Sequence, residues 1–397
     1  MHLTTRVVLE AVATLGTGAS LSFYLLSGFG LIRYLSDRHK KSGQTNLPDS
    51  QLPPVSILKP LKGVDPEVWD SFCSHCEQDY PEFQIIFGVS DSDDPAIEVV
   101  HRLQAKYPKR QIELIECQQF LGTNVKISNL VQMLPAAHHE ILLVDDSDIR
   151  VSRDYLRRVV APLRDNSVGL VTCLYRGIAG RSLGSRLEAL GISMDFVPGV
   201  LSARIVERGM HFALGSTMVF RRSDLGAIGG FEILLDYLAD DYELGQRISA
   251  GGKSVELSDV AVDTFLPAYT VRQFVDHQLR WARSVRDARR WGYLGMALTF
   301  GLPWSIAALL AARGAPWAWT LSAITLAARV VVGLAASLTV LHDRHALRNI
   351  FLLPLRDLIA PLVWAASFAG HQIHWRGDVF YLKDGRLARV PPEAARS

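Results

Sequence analysis

Neither sign of charge prevails in this chain. Its 42 Lys and Arg residues against 40 Asp and Glu leave a net charge of +2 over 397 residues. Without a basic surplus, nothing in the balance points to nucleic acid as a partner. Cysteine is equally scarce: four in a chain of this length make no disulfide framework. Cys73 and Cys76 form a lone C-x-x-C with no second pair to complete a zinc site, which leaves it an incidental or structural role. Charge is scarcest in the N-terminal stretch from Val7 to Ile32, where Glu10 alone is charged. That length can span a bilayer. It is too long for a cleaved signal peptide and has no clear small-residue cleavage site.

What is abundant is apolar. Hydrophobic residues make up 49% of the chain and mean hydropathy is +0.15, high for a soluble protein of this size. The excess lies at the two ends. Arg33, Arg38, His39, Lys40 and Lys41 come directly after the first apolar run, and the positive-inside rule places them and the central part of the chain in the cytoplasm. Three further runs close the chain: Leu294 to Ala312, Trp317 to Leu341 and Ile350 to Gly370. The middle one holds Arg329 and the last Arg356 and Asp357, ionisable residues that at membrane depth are paired or functional. Three complete passes would leave the tail outside, yet Arg376, Lys383, Arg386, Arg389 and Arg396 favour the inside. One run, the last, is therefore expected not to cross completely.

Between the ends the pattern changes to short apolar runs alternating with polar helical stretches, the signature of an α/β fold with a mostly parallel sheet. Strands are predicted at Val55 to Leu58, Phe83 to Val89, Ile112 to Glu116, Ile141 to Val144 and Gly169 to Leu174. Helices are predicted at Glu67 to Glu77, Ala96 to Lys106, Lys126 to Leu134 and Asp154 to Leu163. The organisation that results is a transmembrane helix over 1–32, a basic linker over 33–54, a cytoplasmic α/β domain with interfacial helices over 55–290, membrane segments over 291–372 and a cytoplasmic tail over 373–397.

Carboxylates gather where strands of this block end. Ile141 to Val144 reads as a strand buried on both faces, and Asp145, Asp146, Ser147 and Asp148 come immediately after it. Ligands of open α/β sheets bind at the carboxyl ends of the strands. Asp146 and Asp148 can both turn towards one hard cation, magnesium or manganese, of the kind that serves a phosphate group. A second cluster, Asp91, Asp93 and Asp94, lies just past the strand ending at Val89. Lys126 stands at a helix start, where it reaches a phosphate or a base or is a plain surface lysine. Asp240 and Asp241 open another helix: an N-cap suits one of the two, and an Asp held at such a helix start suits a base that deprotonates an acceptor hydroxyl. On the helical stretch before the last apolar region, Arg283, Arg286, Arg289 and Arg290 make a basic face suited to lipid headgroups. Arg280 beside Trp281 is a different signal, a planar cation and an aromatic suited to a diphosphate.

In order and at these spacings the pieces resemble the membrane glycosyltransferases with a GT-A fold, and within them the ceramide glucosyltransferase-like branch. They are Leu58-Lys59-Pro60-Leu61-Lys62-Gly63, Asp93-Asp94-Pro95-Ala96, Asp146-Ser147-Asp148-Ile149-Arg150-Val151, Ala239-Asp240-Asp241-Tyr242 and an Arg280-Trp281 box. Cys173-Leu174-Tyr175-Arg176-Gly177 and His277 to Arg283 look like the bacterial hopanoid-associated glycosyltransferases. His277 stands where the family's box opens with Gln or Arg.

The resemblance implies inverting transfer from a UDP-sugar, UDP-N-acetylglucosamine or UDP-glucose, to a membrane lipid hydroxyl of a hopanoid or ceramide. It further implies a divalent metal on Asp148 with Asp146 near the ribose or sugar, Asp91 or Asp93 at the uridine, and Lys126, His277, Arg280 and Trp281 at the nucleotide-sugar. Asp241 is the implied catalytic base, and the implied location is multi-pass in a bacterial inner membrane. A non-catalytic scaffold or transporter that keeps a nucleotide-binding fold would have lost these carboxylates. A processive polysaccharide synthase asks for more spans than the C-terminal region offers.

Overall fold

The computed structural model describes residues 2–41, 48–375 and 378–389. The chain forms two compact units, and each draws on three separate stretches. One comprises Met1–Ser36, Ala179–Val206 and Ala268–Gly377, the other Asp37–Ile178, Glu207–Pro267 and Asp378–Ser397.

The second unit is built on an eight-stranded mixed sheet. Its strands are β1 (Val55–Leu61), β2 (Phe83–Val89), β3 (Gln111–Glu116), β4 (Ile141–Val144), β5 (Ile149–Arg150), β6 (Val168–Ile178), β7 (Met218–Arg221) and β8 (Ser254–Phe265), in the spatial order β3-β2-β1-β4-β7-β6-β8-β5. β3, β2, β1 and β4 run parallel, in the register Val55 to Phe83 and Val55 to Ile141. β7 enters antiparallel between β4 and β6, β6 and β8 are parallel, and the two-residue β5 closes the edge antiparallel to β8.

β1, β2 and β4 are almost wholly buried, which is why they read as unbroken apolar runs. Phe72, on the helix Val68–Cys76, meets Phe87 of β2 with ring centroids 4.7 Å apart, and both are fully buried. Truncating either ring to Ala should cost about 3–5 kcal/mol through lost transfer energy and the void left behind. Helices Ala96–Lys106 and Tyr155–Val160 add Val100, Leu103, Leu156 and Val159 to the same core. The helix Val125–Met133 starts at an N-cap, Asn124, whose side chain accepts from the Ile127 amide at 3.2 Å. Arg386–Arg389, within the stretch 373–397 expected to be a tail, is a strand paired with Asp378–Lys383. Leu387 donates its amide to the Asp236 carbonyl at 2.7 Å, so this segment belongs to the α/β unit.

The other unit is helical. A single helix, His2–Lys41, takes in the first apolar run and also the basic residues 33–41, which were expected to begin a linker. Residues 42–47 of that linker, and Arg376 and Arg396 of the tail, lie outside the described residues. Among the described residues four helices are long and apolar enough to cross a membrane: Thr5–His39, Leu183–Val206, Pro316–Val340 and His345–Ala366. Leu183–Val206 was not anticipated. The break among the C-terminal runs falls in the first, where Arg290–Thr299 and Gly301–Ala311 meet at 52°, whereas the last run, expected to stop short, is of spanning length.

Two arginines of the helix Val271–Ala288 are engaged by protein rather than left for headgroups. Arg286 is buried and donates to the Ser367 carbonyl, and Arg283 donates to the carbonyls of Ala369 at 2.9 Å and Gln372. They satisfy the carbonyls just past the helix Leu353–Ala366. Arg329 pairs with Asp357 at 2.9 Å, contacts Asp195 and donates to the Met194 carbonyl at 2.7 Å. The ionisable residues of the apolar runs thus compensate one another.

Candidate active site

The carboxyl end of β4 sets the site. Past Val144 the chain keeps a period of two in its burial: Asp145 and Ser147 are buried, Asp146 and Asp148 partly exposed. The buried pair is held from within. Asp145 accepts from Lys59 Nζ at 2.7 Å and lies 2.6 Å from His75 Nε2, and the Ser147 hydroxyl bonds Asp65. Burial alone would raise the Asp145 pKa, but the Lys59 ammonium and the His75 ring outweigh it and hold the carboxyl below its usual range.

The outward pair differs. Asp146 lies 2.9 Å from Lys126 Nζ, and Lys126 also reaches Asp240 at 3.1 Å. Burial disfavours charge on Lys126, but Asp146, Asp240 and Asp241 together raise its pKa, so it is a firm cation. Asp148 accepts a hydrogen bond from the Thr264 hydroxyl on β8. Its pKa is pushed up to about 7, first by burial and then by the carboxylates of Asp146 and Asp65. A carboxylate crowded by its own kind in this way fits a hard divalent cation, whose charge would relieve the repulsion. No group of three His, Cys, Asp or Glu residues among those described is arranged to hold a metal. Asp146 and Asp148 could offer two carboxylates to a hard cation such as magnesium or manganese, which takes its other ligands from water and phosphate.

Asp241 opens the helix Asp240–Ala250. One of its oxygens accepts from the Gly215 amide at 2.8 Å, the other from the Tyr242 amide at 2.8 Å. Its pKa is pushed up to about 6, by burial first and then by Asp240, with Lys126 pulling the other way. A carboxylate poised there can take a proton near neutral pH. Gly215, which sequence reasoning missed, is where these groups converge: a Cβ on it would sit 3.3 Å from Asp146, 3.4 Å from Asp241 and 3.7 Å from Lys126. A bare glycine keeps that space open. Its only signal in the sequence is a Gly just ahead of a short strand.

The second carboxylate cluster divides. Asp94 is the structural member, accepting from the amides of Gly63 and Ala96, both at 2.8 Å. Asp91 and Asp93 stay exposed, the former accepting from the Asp93 amide at 3.0 Å. His277, Arg280 and Trp281 belong to the helical unit, on Val271–Ala288. His277 Nδ1 lies 2.7 Å from the buried carboxylate of Glu188, and its ring stacks on Tyr269 with centroids 5.5 Å apart and lies 5.1 Å from Trp281.

The profile of glycosyl transferase family 21 matches residues 22–388, nearly the whole chain. The chain belongs to that family. Ceramide glucosyltransferase 3 of Caenorhabditis elegans is 28% identical over 249 residues, 59% of this chain and 51% of that protein. The ceramide glucosyltransferase of Candida albicans is 33% identical over 124 residues, 28% of this chain and 23% of its own. The chain spans about half the length, or less, of the curated relatives it matches. Among solved structures, a mannosyltransferase from Pyrobaculum calidifontis in complex with GDP-mannose and Mn2+ aligns with 91% of this chain and 97% of its own, with a TM-score of 0.55 and 22% identity. The likeness is one of fold, and the α/β unit of this family 21 chain is a GT-A fold.

Proposed function

We propose that this family 21 protein is an inverting glycosyltransferase that moves a sugar from a UDP-sugar, UDP-N-acetylglucosamine or UDP-glucose, to the hydroxyl of a membrane lipid, a hopanoid or a ceramide. The observation that carries the reading is the convergence of Lys126, Asp146 and Asp241 on the open space at Gly215, beside a crowded Asp148. In this reading Asp241 accepts the proton of the attacking hydroxyl, and the two amides on its carboxylate fix the direction in which it does so. Direct attack in one displacement inverts the anomeric centre. Lys126 contributes fixed positive charge at the sugar or ribose side of Asp146. Asp148 and Asp146 would hold the divalent cation, which when bound supplies Lewis-acid neutralisation of the leaving diphosphate. Asp91 or Asp93 serves the uridine, and the assignment of His277, Arg280 and Trp281 to the nucleotide-sugar is carried by the sequence box alone. The apolar helices keep the protein in the bilayer where its acceptor resides, in a bacterial inner membrane with the α/β unit in the cytoplasm.

The test is direct. Membranes carrying the protein are incubated with radiolabelled UDP-glucose and, separately, UDP-N-acetylglucosamine, with ceramide or a hopanoid polyol as acceptor, and the lipid extract is resolved. One labelled lipid above the Asp241→Asn background supports the reading and names donor and acceptor. No labelled lipid from any pair removes it.

A further inference from the structure

Beneath the acidic turn lies a second set of charges that the proposed chemistry does not use. Lys59, His75 and Asp145 are fully buried, a costly arrangement unless every group is paired. All are paired here. Lys59 Nζ is 2.7 Å from one oxygen of Asp145, and His75 Nε2 is 2.6 Å from the other. His75 Nδ1 faces the Ser71 carbonyl at 2.8 Å. Lys59 Nζ also lies 3.5 Å from His75 Nε2, and one of its bonds leaves the triad: at 3.0 Å the ammonium donates to the backbone carbonyl of Asp146. Ser71, whose carbonyl holds the His75 ring, also places its hydroxyl 3.5 Å from the Asp148 carbonyl. The backbone at both outward carboxylates is thus tied to the same buried assembly, one strand and one helix away.

An apolar trio of the same volume would fill this space at no electrostatic cost, so packing alone does not call for a lysine, a histidine and an aspartate here. What apolar side chains would not do is reach out and grip the Asp146 carbonyl. We propose that Lys59, with His75 acting through Asp145, is a positioning residue that holds the Asp146–Ser147–Asp148 turn in the geometry that accepts a divalent cation and the diphosphate it serves. The proposal rests on the metal reading of Asp148 and Asp146. Outer groups that orient ligating carboxylates commonly govern ten- to a hundredfold in metal affinity.

Two variants of the full chain in detergent test it. Lys59→Met removes the ammonium at similar length but strands Asp145 as a buried anion. The double variant Lys59→Met/Asp145→Asn removes the stranded charge while still lacking the grip on Asp146. Mn2+ affinity is read by electron paramagnetic resonance in the presence of UDP, beside a thermal unfolding curve. The expected result is a double variant that unfolds within a few degrees of the unaltered protein and binds Mn2+ about ten- to a hundredfold more weakly. An unchanged affinity in that folded variant overturns the proposal, and so does failure of both variants to fold, which would make the triad a purely structural element. Asp148→Asn separates the two readings. If it leaves Mn2+ binding intact, the metal assignment itself is wrong and the proposal falls with it; if it abolishes binding while the double variant binds normally, only the positioning role is lost.

Discussion

The ammonium of Lys126 stands 2.9 Å from a carboxylate oxygen of Asp146. The same cation counters the burial and the Asp240 charge that push the Asp241 pKa up to about 6. Replacing Lys126 with Met should therefore raise the Asp241 pKa further. The acid limb of the kcat/KM profile is expected to move to higher pH, and a limb that stays in place would separate Lys126 from the base.

In the unaltered protein the sign of the pH effect comes from a base that must be unprotonated to act. At saturating divalent cation, which keeps Asp148 ionised, activity should be level above about pH 6 and fall about tenfold for each unit below it. Asp241→Asn should abolish transfer and the limb with it, while calorimetry still records UDP binding, because a base acts on the acceptor and not on the nucleotide.

Asp148→Asn should lower turnover by about a hundredfold or more, the scale on which a lost electrostatic stabiliser acts. Asp148 is partly exposed, and the change relieves its repulsion with Asp146 and Asp65. The unfolding temperature should hold or rise, so loss of activity with an unchanged melting curve is the outcome to look for.

Orientation is open to thiol labelling, because all four native cysteines are buried and give little background. Ser50→Cys, at an exposed position, should resist an impermeant maleimide in intact cells and react after lysis, as the basic residues at the end of the first helix require. Reaction in intact cells would reverse the topology.

Arg329→Met should destabilise the helical unit by about 3–5 kcal/mol, because it strands the buried Asp357 carboxylate. Arg329→Met/Asp357→Leu should recover much of that loss. Thermal unfolding in one detergent compares the three proteins.

What could be read from the sequence depended on whether a segment's environment is uniform. β1, β2 and β4 are buried on both faces, so their apolar runs announced them within a few residues. β8 is buried alternately and carries Glu256, Asp259 and Asp263 among its valines, and β7 is four residues long, so neither produced a run. Leu183–Val206 was hidden by Glu188 and Asp195, whose partners His277 and Arg329 lie far along the chain. At the site, Asp146, Asp148, Lys126 and Asp241 were visible as charges at strand ends and helix starts. Asp145 looked like one more of them. Only its burial separates it from Asp146, and that depends on a period of two carried past the last ladder pair, with Lys59 and His75 supplied by elements 86 and 70 residues away.

The position of β7 carries a consequence for how this protein is made. β7 is the strand that joins β4 to β6, yet it emerges from the ribosome after the apolar helix Leu183–Val206. Until then β4 presents one open edge and β6, whose other neighbour β8 comes later still, presents two, the kind that seek strands of other molecules. A nascent chain must set the apolar helix aside before its sheet can be sealed. Any product that stops short of Met218 lacks β7 and β8 alike and should survive only as long as something else covers those edges.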